Sequence, residues 1–304
     1  MTAGKMHADE VHTDARLVLR LLLGQFPEWA DLPIERVPSN GTDHAMYRLG
    51  DELAVRLPRI ADALGQAGDE FRWLPRLAPL LPLEIPVPVA QGTPAEGYPW
   101  EWSIYRWIDG GDASMENIAD PRRAAADLGR FVAALQRIDT GDGPVPYGSP
   151  RGGPLAERDA ETREGIGALD GWPGLEGDGS ALMAAWEAAL CAQPWDGPPV
   201  WLHGDLHGEN LLARDRVLAA VIDFGCMGVG DPACDLIPAW LYLSAGTREA
   251  FRAELSVDEP TWARGRGWAL SLAVIALPYY VRTNPGLADV ARHGIHEILS
   301  DRGR

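Results

Sequence analysis

Asp205, Asn210 and Asp223 are the residues of this chain whose types and spacing best suit chemistry. The first two lie in His203-Gly204-Asp205-Leu206-His207-Gly208-Glu209-Asn210, and the third opens Asp223-Phe224-Gly225. Between Asn210 and Asp223 run Leu211-Leu212-Ala213, the turn-like Arg214-Asp215 and the apolar stretch from Val217 to Ile222. That pattern predicts two short antiparallel strands around a tight turn. The second strand runs back beside the first, so Asn210 and Asp223 arrive at the same edge. A side-chain amide and a carboxylate converging there suit a hard, oxygen-seeking cation such as Mg²⁺. Asp205 sits on the loop that feeds the hairpin, where it can accept a proton from a hydroxyl.

An Asp, an Asn five positions later and an Asp-Phe-Gly after a β-hairpin form the phosphoryl-transfer layout of kinases. Residues 203–225 resemble the catalytic and metal segments of the aminoglycoside phosphotransferase family, small-molecule kinases with a protein-kinase-like fold. Two departures from protein kinases point to that branch. Gly204 stands where protein kinases carry the arginine of His-Arg-Asp, so no basic side chain is present to read a phosphorylated loop. Only Cys226 to Gly230 separate Gly225 from Asp231-Pro232, too little chain for a segment that docks a peptide. The expected substrate is therefore small. Each piece also has a plainer reading: His203 as a structural residue, His207 as a loop residue, and Asp231-Pro232 as the N-cap and first position of a helix.

The resemblance spans essentially the whole chain and is most specific over residues 200–240. It implies an α/β (α+β) bilobal fold, with an antiparallel small-lobe sheet over a mainly helical large lobe. Residues 1–108 would form the nucleotide-binding lobe and residues 109–304 the catalytic, substrate-binding lobe. The implied reaction moves the γ-phosphoryl of ATP to a hydroxyl of a small molecule, with Mg²⁺ held by Asn210 and Asp223 and with Asp205 as the catalytic residue. GTP is an open alternative as donor. The expected acceptor is an aminoglycoside-type antibiotic; a macrolide, a basic peptide antibiotic or a housekeeping metabolite are the alternatives. A different class of reading is a catalytically weak, nucleotide-binding regulatory protein on the same fold.

Lysine usage supports that last reading. Lys5 is the single lysine, and the other 26 basic residues are arginines. Kinases use a strand lysine to hold the nucleotide phosphates. By the resemblance, Arg56 in Leu53-Ala54-Val55-Arg56-Leu57 takes that place. Glu70 matches the partner glutamate on the next helix and shares a helix face with Leu74 and Leu77; Asp69 is the neighbouring competitor.

The elements that must position these groups can be read along the chain. Apolar spacing predicts a helix over 14–26, strands over 34–37, 45–49 and 52–57, and a helix over 63–74. The loop 38–44, with Ser39, Gly41 and Thr42, occupies the position of the nucleotide-covering loop. A strand near Val87 and Val89 follows, then one over 102–108, where Tyr105, Arg106 and Trp107 are the candidates for purine contact; an ordinary buried strand end is the alternative. Helices follow over 121–138, 155–165, 182–191 and beyond 248. Asp159 and Glu161 on the acidic 155–165 helix, together with Asp235, are candidate acceptor contacts. Mixed charges on a solvated helix explain the first two equally well.

Composition narrows the field. The 304 residues are 46% hydrophobic and 23% charged, as expected of a globular chain with a real core. A formal net charge of −17 disfavours nucleic acid and favours a cationic small-molecule partner. The apolar run from Ala269 to Val281 is too short to span a bilayer and predicts a buried helix. No secretory signal is visible at the N-terminus. Cys191, Cys226 and Cys234 fit reduced thiols, and a monomer in the cytoplasm is expected.

Overall fold

The computed structural model describes residues 10–38, 44–61, 65–146, 151–175 and 178–301. The chain divides into two compact units. One holds the residues up to Pro79 together with Glu84–Asp109; the other holds Leu80–Leu83 and the chain from Gly110 onward.

The first unit contains α1 (Ala15–Gln25), β1 (Ile34–Arg36), β2 (His44–Leu49), β3 (Leu53–Pro58), α2 (Gln66–Leu77), β4 (Pro88–Gly92) and β5 (Trp102–Arg106). The strands form one antiparallel sheet in the order β1-β2-β3-β5-β4. Asp14 starts α1 by accepting the N–H of Leu17 at 2.7 Å, which satisfies one of the donors that a helix N-terminus leaves unpaired. The same helix buries Leu17, Val18, Leu21 and Leu22 in a cluster with Tyr47, Val55, Leu57 and Ile104 of the sheet. Strand β2 alternates half-buried and buried residues, the period-2 pattern of a strand with one covered face. Strand β3 is buried from Ala54 onward, so it is a central strand covered on both faces.

The second unit contains β6 (Gly111–Asp112), α3 (Pro121–Arg137), α4 (Asp159–Ala168), α5 (Gly179–Leu190), β7 (Val200–Leu202), β8 (Leu211–Arg214), β9 (Val217–Val221), β10 (Gly228–Gly230), α6 (Pro238–Leu241), α7 (Ala245–Arg252), α8 (Glu259–Tyr280) and α9 (Pro285–Ser300). A 3₁₀ turn over Leu155–Arg158 leads directly into α4. The long α8 packs against α4, α5 and α9 and buries Trp268, Leu270, Val274 and Leu277. It contains nearly all of the apolar run that the sequence reading expects as a buried helix. Among the described residues, no helix is long and apolar enough to cross a membrane. Cys191, Cys226 and Cys234 are thiols rather than disulfide halves.

Candidate active site

Two small sheets of the second unit present the loop that carries Asp205. Strand β7 runs into it, and β10 pairs antiparallel with β7, placing Gly228 opposite Leu202. The hairpin β8–β9 leaves it, with β6 paired on the far side of β8. The turn of the hairpin is Asp215-Arg216, one residue beyond the expected pair, and both residues have positive φ (51° and 64°). Those signs mark the mirror-image turn whose twist suits a two-residue hairpin. Past the hairpin the N–H of Ile222 donates to the carbonyl of Asn210 at 2.9 Å. That bond closes the edge at which Asn210 and Asp223 meet.

The loop backbone is anchored from below. Asp235 is fully buried, and its two carboxylate oxygens accept the N–H groups of His203 at 2.7 Å and Gly204 at 2.8 Å. Burial pushes the Asp235 carboxyl up from its ordinary range, against the pull of His203 and these two N–H donors. Gly204 has φ +82°, and a Cβ there would lie 2.3 Å from the Cys226 carbonyl. A side chain at this position is excluded by both conformation and space. His203 is buried and structural: its Nε2 bonds the Ile222 carbonyl at 3.0 Å, its Nδ1 takes the Asp205 N–H at 3.2 Å, and its ring packs edge-on against Phe224.

Asp205 lies between an arginine and a histidine side chain. Arg151 donates from Nη2 to Oδ1 at 3.0 Å, and His207 Nε2 faces Oδ2 at 3.3 Å. Burial by itself would raise the pKa of Asp205; Arg151, then His207 and His203, outweigh it and hold the carboxyl well below the usual carboxylate range. Burial likewise opposes charge on His207, but the Asp205 carboxylate more than offsets it and raises the imidazole above its ordinary value. Asp205 is therefore ionised and held in place by its two neighbours.

Asn210 is buried and donates from Nδ2 to the Asp205 carbonyl at 2.9 Å. Its side-chain oxygen is the atom left for a cation. Asp223 is exposed and has φ +62°, a left-handed conformation seldom adopted by residues other than glycine. Local strain of this kind concentrates at functional positions. One carboxylate oxygen donor plus one amide oxygen fits Mg²⁺, which keeps several waters and takes further oxygens from phosphates. Among the described residues no group of three or more His, Cys, Asp or Glu could hold a metal alone, so phosphate and water oxygens would have to complete the shell.

In the first unit, Arg56 and Glu70 form a buried pair. Nη1 of Arg56 lies 2.6 Å from each carboxylate oxygen of Glu70, and the Tyr105 hydroxyl donates to the same carboxylate. Burial and then Glu70 push the Tyr105 phenol well up, so it remains a neutral donor. His44 adds a partner that the sequence reading missed: its Nδ1 is 3.1 Å from Nη2 of Arg56. Burial, then Arg56 and Arg59, lower its pKa, so the ring is neutral and accepts from the guanidinium.

The remaining expected residues take other places. The N–H of Arg106 donates to the Val87 carbonyl and that of Trp107 to the Glu52 carbonyl, so neither is a spare donor for a purine edge. The Tyr105 side chain points at Glu70. Asp159 accepts from Arg163 at 2.7 Å and from the Trp186 indole at 2.7 Å, which ties α4 to α5. Glu161 is exposed and pairs with Arg158 at 3.7 Å. Asp235, expected at the acceptor, has no exposed surface and instead holds the Asp205 loop. Ser39, Gly41 and Thr42 lie outside the described residues. Arg151 was not read from the sequence at all: it is 54 residues from Asp205, in a Gly- and Pro-rich stretch without periodicity.

The sequence model of APH, the phosphotransferase enzyme family, matches residues 34–268. No curated protein matches this chain. Among solved structures it is similar to the GDP complex of aminoglycoside 2'-phosphotransferase-IIIa, at 17% identity and a TM-score of 0.72, over 96% of this chain and 100% of that one. It is also similar to the streptomycin–ATP–APH(2″)-IIa ternary complex, at 18% identity and a TM-score of 0.56, over 95% and 97% of the two chains. A third similar structure is the apoenzyme of macrolide 2'-phosphotransferase MphH from Brachybacterium faecium, at 22% identity and a TM-score of 0.57, over 96% and 99%.

Proposed function

The chain belongs to the phosphotransferase enzyme family, and from that premise we propose that it transfers the γ-phosphoryl group of ATP to a hydroxyl of an antibiotic-like small molecule. The observation that carries this reading is the arrangement around Asp205: an ionised carboxylate fixed by Arg151 and His207, on a loop whose next turn brings Asn210 to the edge of Asp223. An acceptor hydroxyl donates to Asp205 and is oriented by it. Its oxygen bonds to the γ-phosphorus as the bond to the bridging oxygen breaks, and its proton passes to the carboxylate. Positioned proton acceptance of this kind is worth on the order of 10²–10⁴-fold.

Asn210 and Asp223 would hold Mg²⁺, which when bound neutralises phosphate charge. Arg56, aimed by Glu70, His44 and Tyr105, would grip the phosphates. A guanidinium does this bidentately, where a lysine offers one compact charge. Relatives named above have been solved with GDP and with ATP, so GTP is the alternative donor.

An aminoglycoside is the leading acceptor. It is supported by the net charge of −17 and by the kanamycin, gentamicin and streptomycin complexes of similar phosphotransferases. Asp159, Glu161 and Asp235 add nothing to that support, because each is engaged within the protein's own packing. A macrolide is the second reading, from the similarity to macrolide 2'-phosphotransferases. The test is purified protein with Mg²⁺ and either ATP or GTP against a panel of antibiotics and metabolites, read by mass for one added phosphoryl group. Absence of a phosphorylated product across such a panel, with the nucleotide bound, would instead favour a regulatory nucleotide-binding role.

A further inference from the structure

Asp231 and Arg264 form a buried ion pair with two contacts. Nε of Arg264 donates to Oδ2 of Asp231 at 2.7 Å and Nη2 to Oδ1 at 3.0 Å. The Arg264 and Asp231 side chains are 4% and 7% exposed. Arg264 stands on α8, and its other contacts are also internal: Nη1 donates to the Gln193 carbonyl and Nη2 reaches the Thr261 hydroxyl. Burying two charges is costly, and apolar replacement of such pairs is often neutral for stability. What a two-point contact between guanidinium and carboxylate supplies is a fixed geometry.

The geometry it fixes is that of the short turn Pro232–Leu236. Asp231 caps this turn, its Oδ1 accepting the Ala233 N–H at 2.9 Å. Helix α8 lies directly on it, because a Cβ at Gly265 would sit 2.6 Å from Leu236 Cβ. Two arms run from the turn to Asp205. At its start the Asp231 N–H donates to the Gly152 carbonyl at 2.8 Å, and the preceding residue, Arg151, holds the Asp205 carboxylate. Gly152 has φ +73°, and a Cβ on Gly230 would meet its carbonyl at 2.5 Å, so the two segments approach as closely as glycines allow. Toward its end the turn carries Asp235, which takes the N–H groups of His203 and Gly204 and so holds the backbone that leads to Asp205. One turn therefore sets both the carboxylate and the backbone of Asp205, and one ion pair ties that turn to α8.

We propose that Arg264 is a positioning residue for phosphoryl transfer, acting through Asp231 to lock the turn that aligns Asp205. The inference rests on the phosphotransferase reading given above and deepens it, by making the alignment of the site depend on a helix that supplies none of the site's residues. A misplacement of about 1 Å can cost on the order of 10²-fold in rate. Lysine at position 264 keeps the charge and gives up the two-point contact.

The test uses full-length protein and has two readouts. The first is steady-state kinetics with ATP, Mg²⁺ and whichever member of the antibiotic and metabolite panel is phosphorylated. Arg264→Lys is expected to lower kcat by about tenfold or more and to leave the KM for ATP near wild type. The second is hydrogen exchange of the His203 and Gly204 N–H groups, expected to quicken by about tenfold or more in Arg264→Lys as the turn loosens. The control is Arg248→Lys, which disturbs a pair of similar burial: Arg248 and Glu297 side chains are 7% and 12% exposed and join α7 to α9. It is expected to leave kcat and both exchange rates near wild type even where it lowers stability. Wild-type kcat in Arg264→Lys, loop N–H groups as protected as in wild type, or equal losses in Arg248→Lys would each overturn the proposal. If wild-type protein phosphorylates no member of the panel, the phosphotransferase reading fails and exchange alone decides: N–H groups freed in Arg264→Lys and not in Arg248→Lys leave the positioning role standing. Should Arg264→Lys not fold, Asp231→Asn keeps an acceptor for the Ala233 N–H, removes the charge and serves the same comparison.

Discussion

Asp235 reaches back across the fold to take the N–H groups of His203 and Gly204, one on each carboxylate oxygen, at 2.7 and 2.8 Å. The Asp205 loop is therefore positioned by a residue that no substrate can touch. Asp235→Asn keeps one acceptor oxygen and replaces the other with an amide donor, which orphans one loop N–H. We expect kcat to fall at least tenfold while the nucleotide KM stays near wild type, and chemical denaturation to show a loss of about 1–3 kcal/mol. Wild-type kcat in a folded Asp235→Asn protein would show that the loop does not depend on this anchor.

Asp205→Asn is expected to lower turnover by roughly 10²–10⁴-fold and to leave nucleotide affinity unchanged when measured by calorimetry. A variant that retains a tenth or more of wild-type turnover would remove Asp205 from proton acceptance.

For the metal edge, Asp223→Asn is the cleaner substitution than alanine. Asparagine tolerates the left-handed backbone at φ +62°, so the change removes charge without adding strain. We expect Mg²⁺-dependent nucleotide binding to weaken at least tenfold in Asp223→Asn and less in Asn210→Ala. Magnesium titrations that match wild type in both variants would contradict the assignment.

Removing one partner of the Arg56–Glu70 pair leaves the other buried and uncompensated. Arg56 and Glu70 side chains are 11% and 2% exposed, so Arg56→Ala is expected to cost about 3–5 kcal/mol of stability as well as raising the nucleotide KM. Arg56→Lys should recover only part of the binding, since one ammonium cannot serve Glu70, His44 and phosphate together. The double variant Arg56→Ala/Glu70→Ala should cost less than the sum of the single variants. Strict additivity by thermal or urea denaturation would show that the pair is not a unit.

What was legible in the sequence is local. The hairpin 211–221, the N-cap at Asp231, the helices expected over 14–26 and 121–138, and the first three strands all follow from periodicity and turn chemistry within a few residues. The pairing of Arg56 with Glu70 was legible through the family resemblance, which matches the two to the phosphate-holding strand residue and its helix partner. Long-range polar contacts were not. Arg151 and Asp205 share no periodic element, and only the close glycine approach of Gly152 to Gly230 brings them together. For Asp159 and Glu161 the arginine partners stand three or four residues away and are local, whereas the Trp186 indole on Asp159 comes only from the packing of α5 on α4. His44 was passed over for the same reason: its place beside Arg56 comes from the cross-strand pairing of β2 with β3.

The chain that follows Asp223-Phe224-Gly225 has almost no slack. Met227 donates back to Phe224 at 2.9 Å, Val229 to Pro144 at 2.8 Å and Asp231 to Gly152 at 2.8 Å, while β10 is laddered to β7. In kinases that are switched by refolding this stretch, the metal-binding aspartate swings between working and idle positions. Here such a swing would break three backbone bonds and a strand pairing at once, with no long loop to absorb the change. A stretch tied down in this way resists refolding as a means of switching the site.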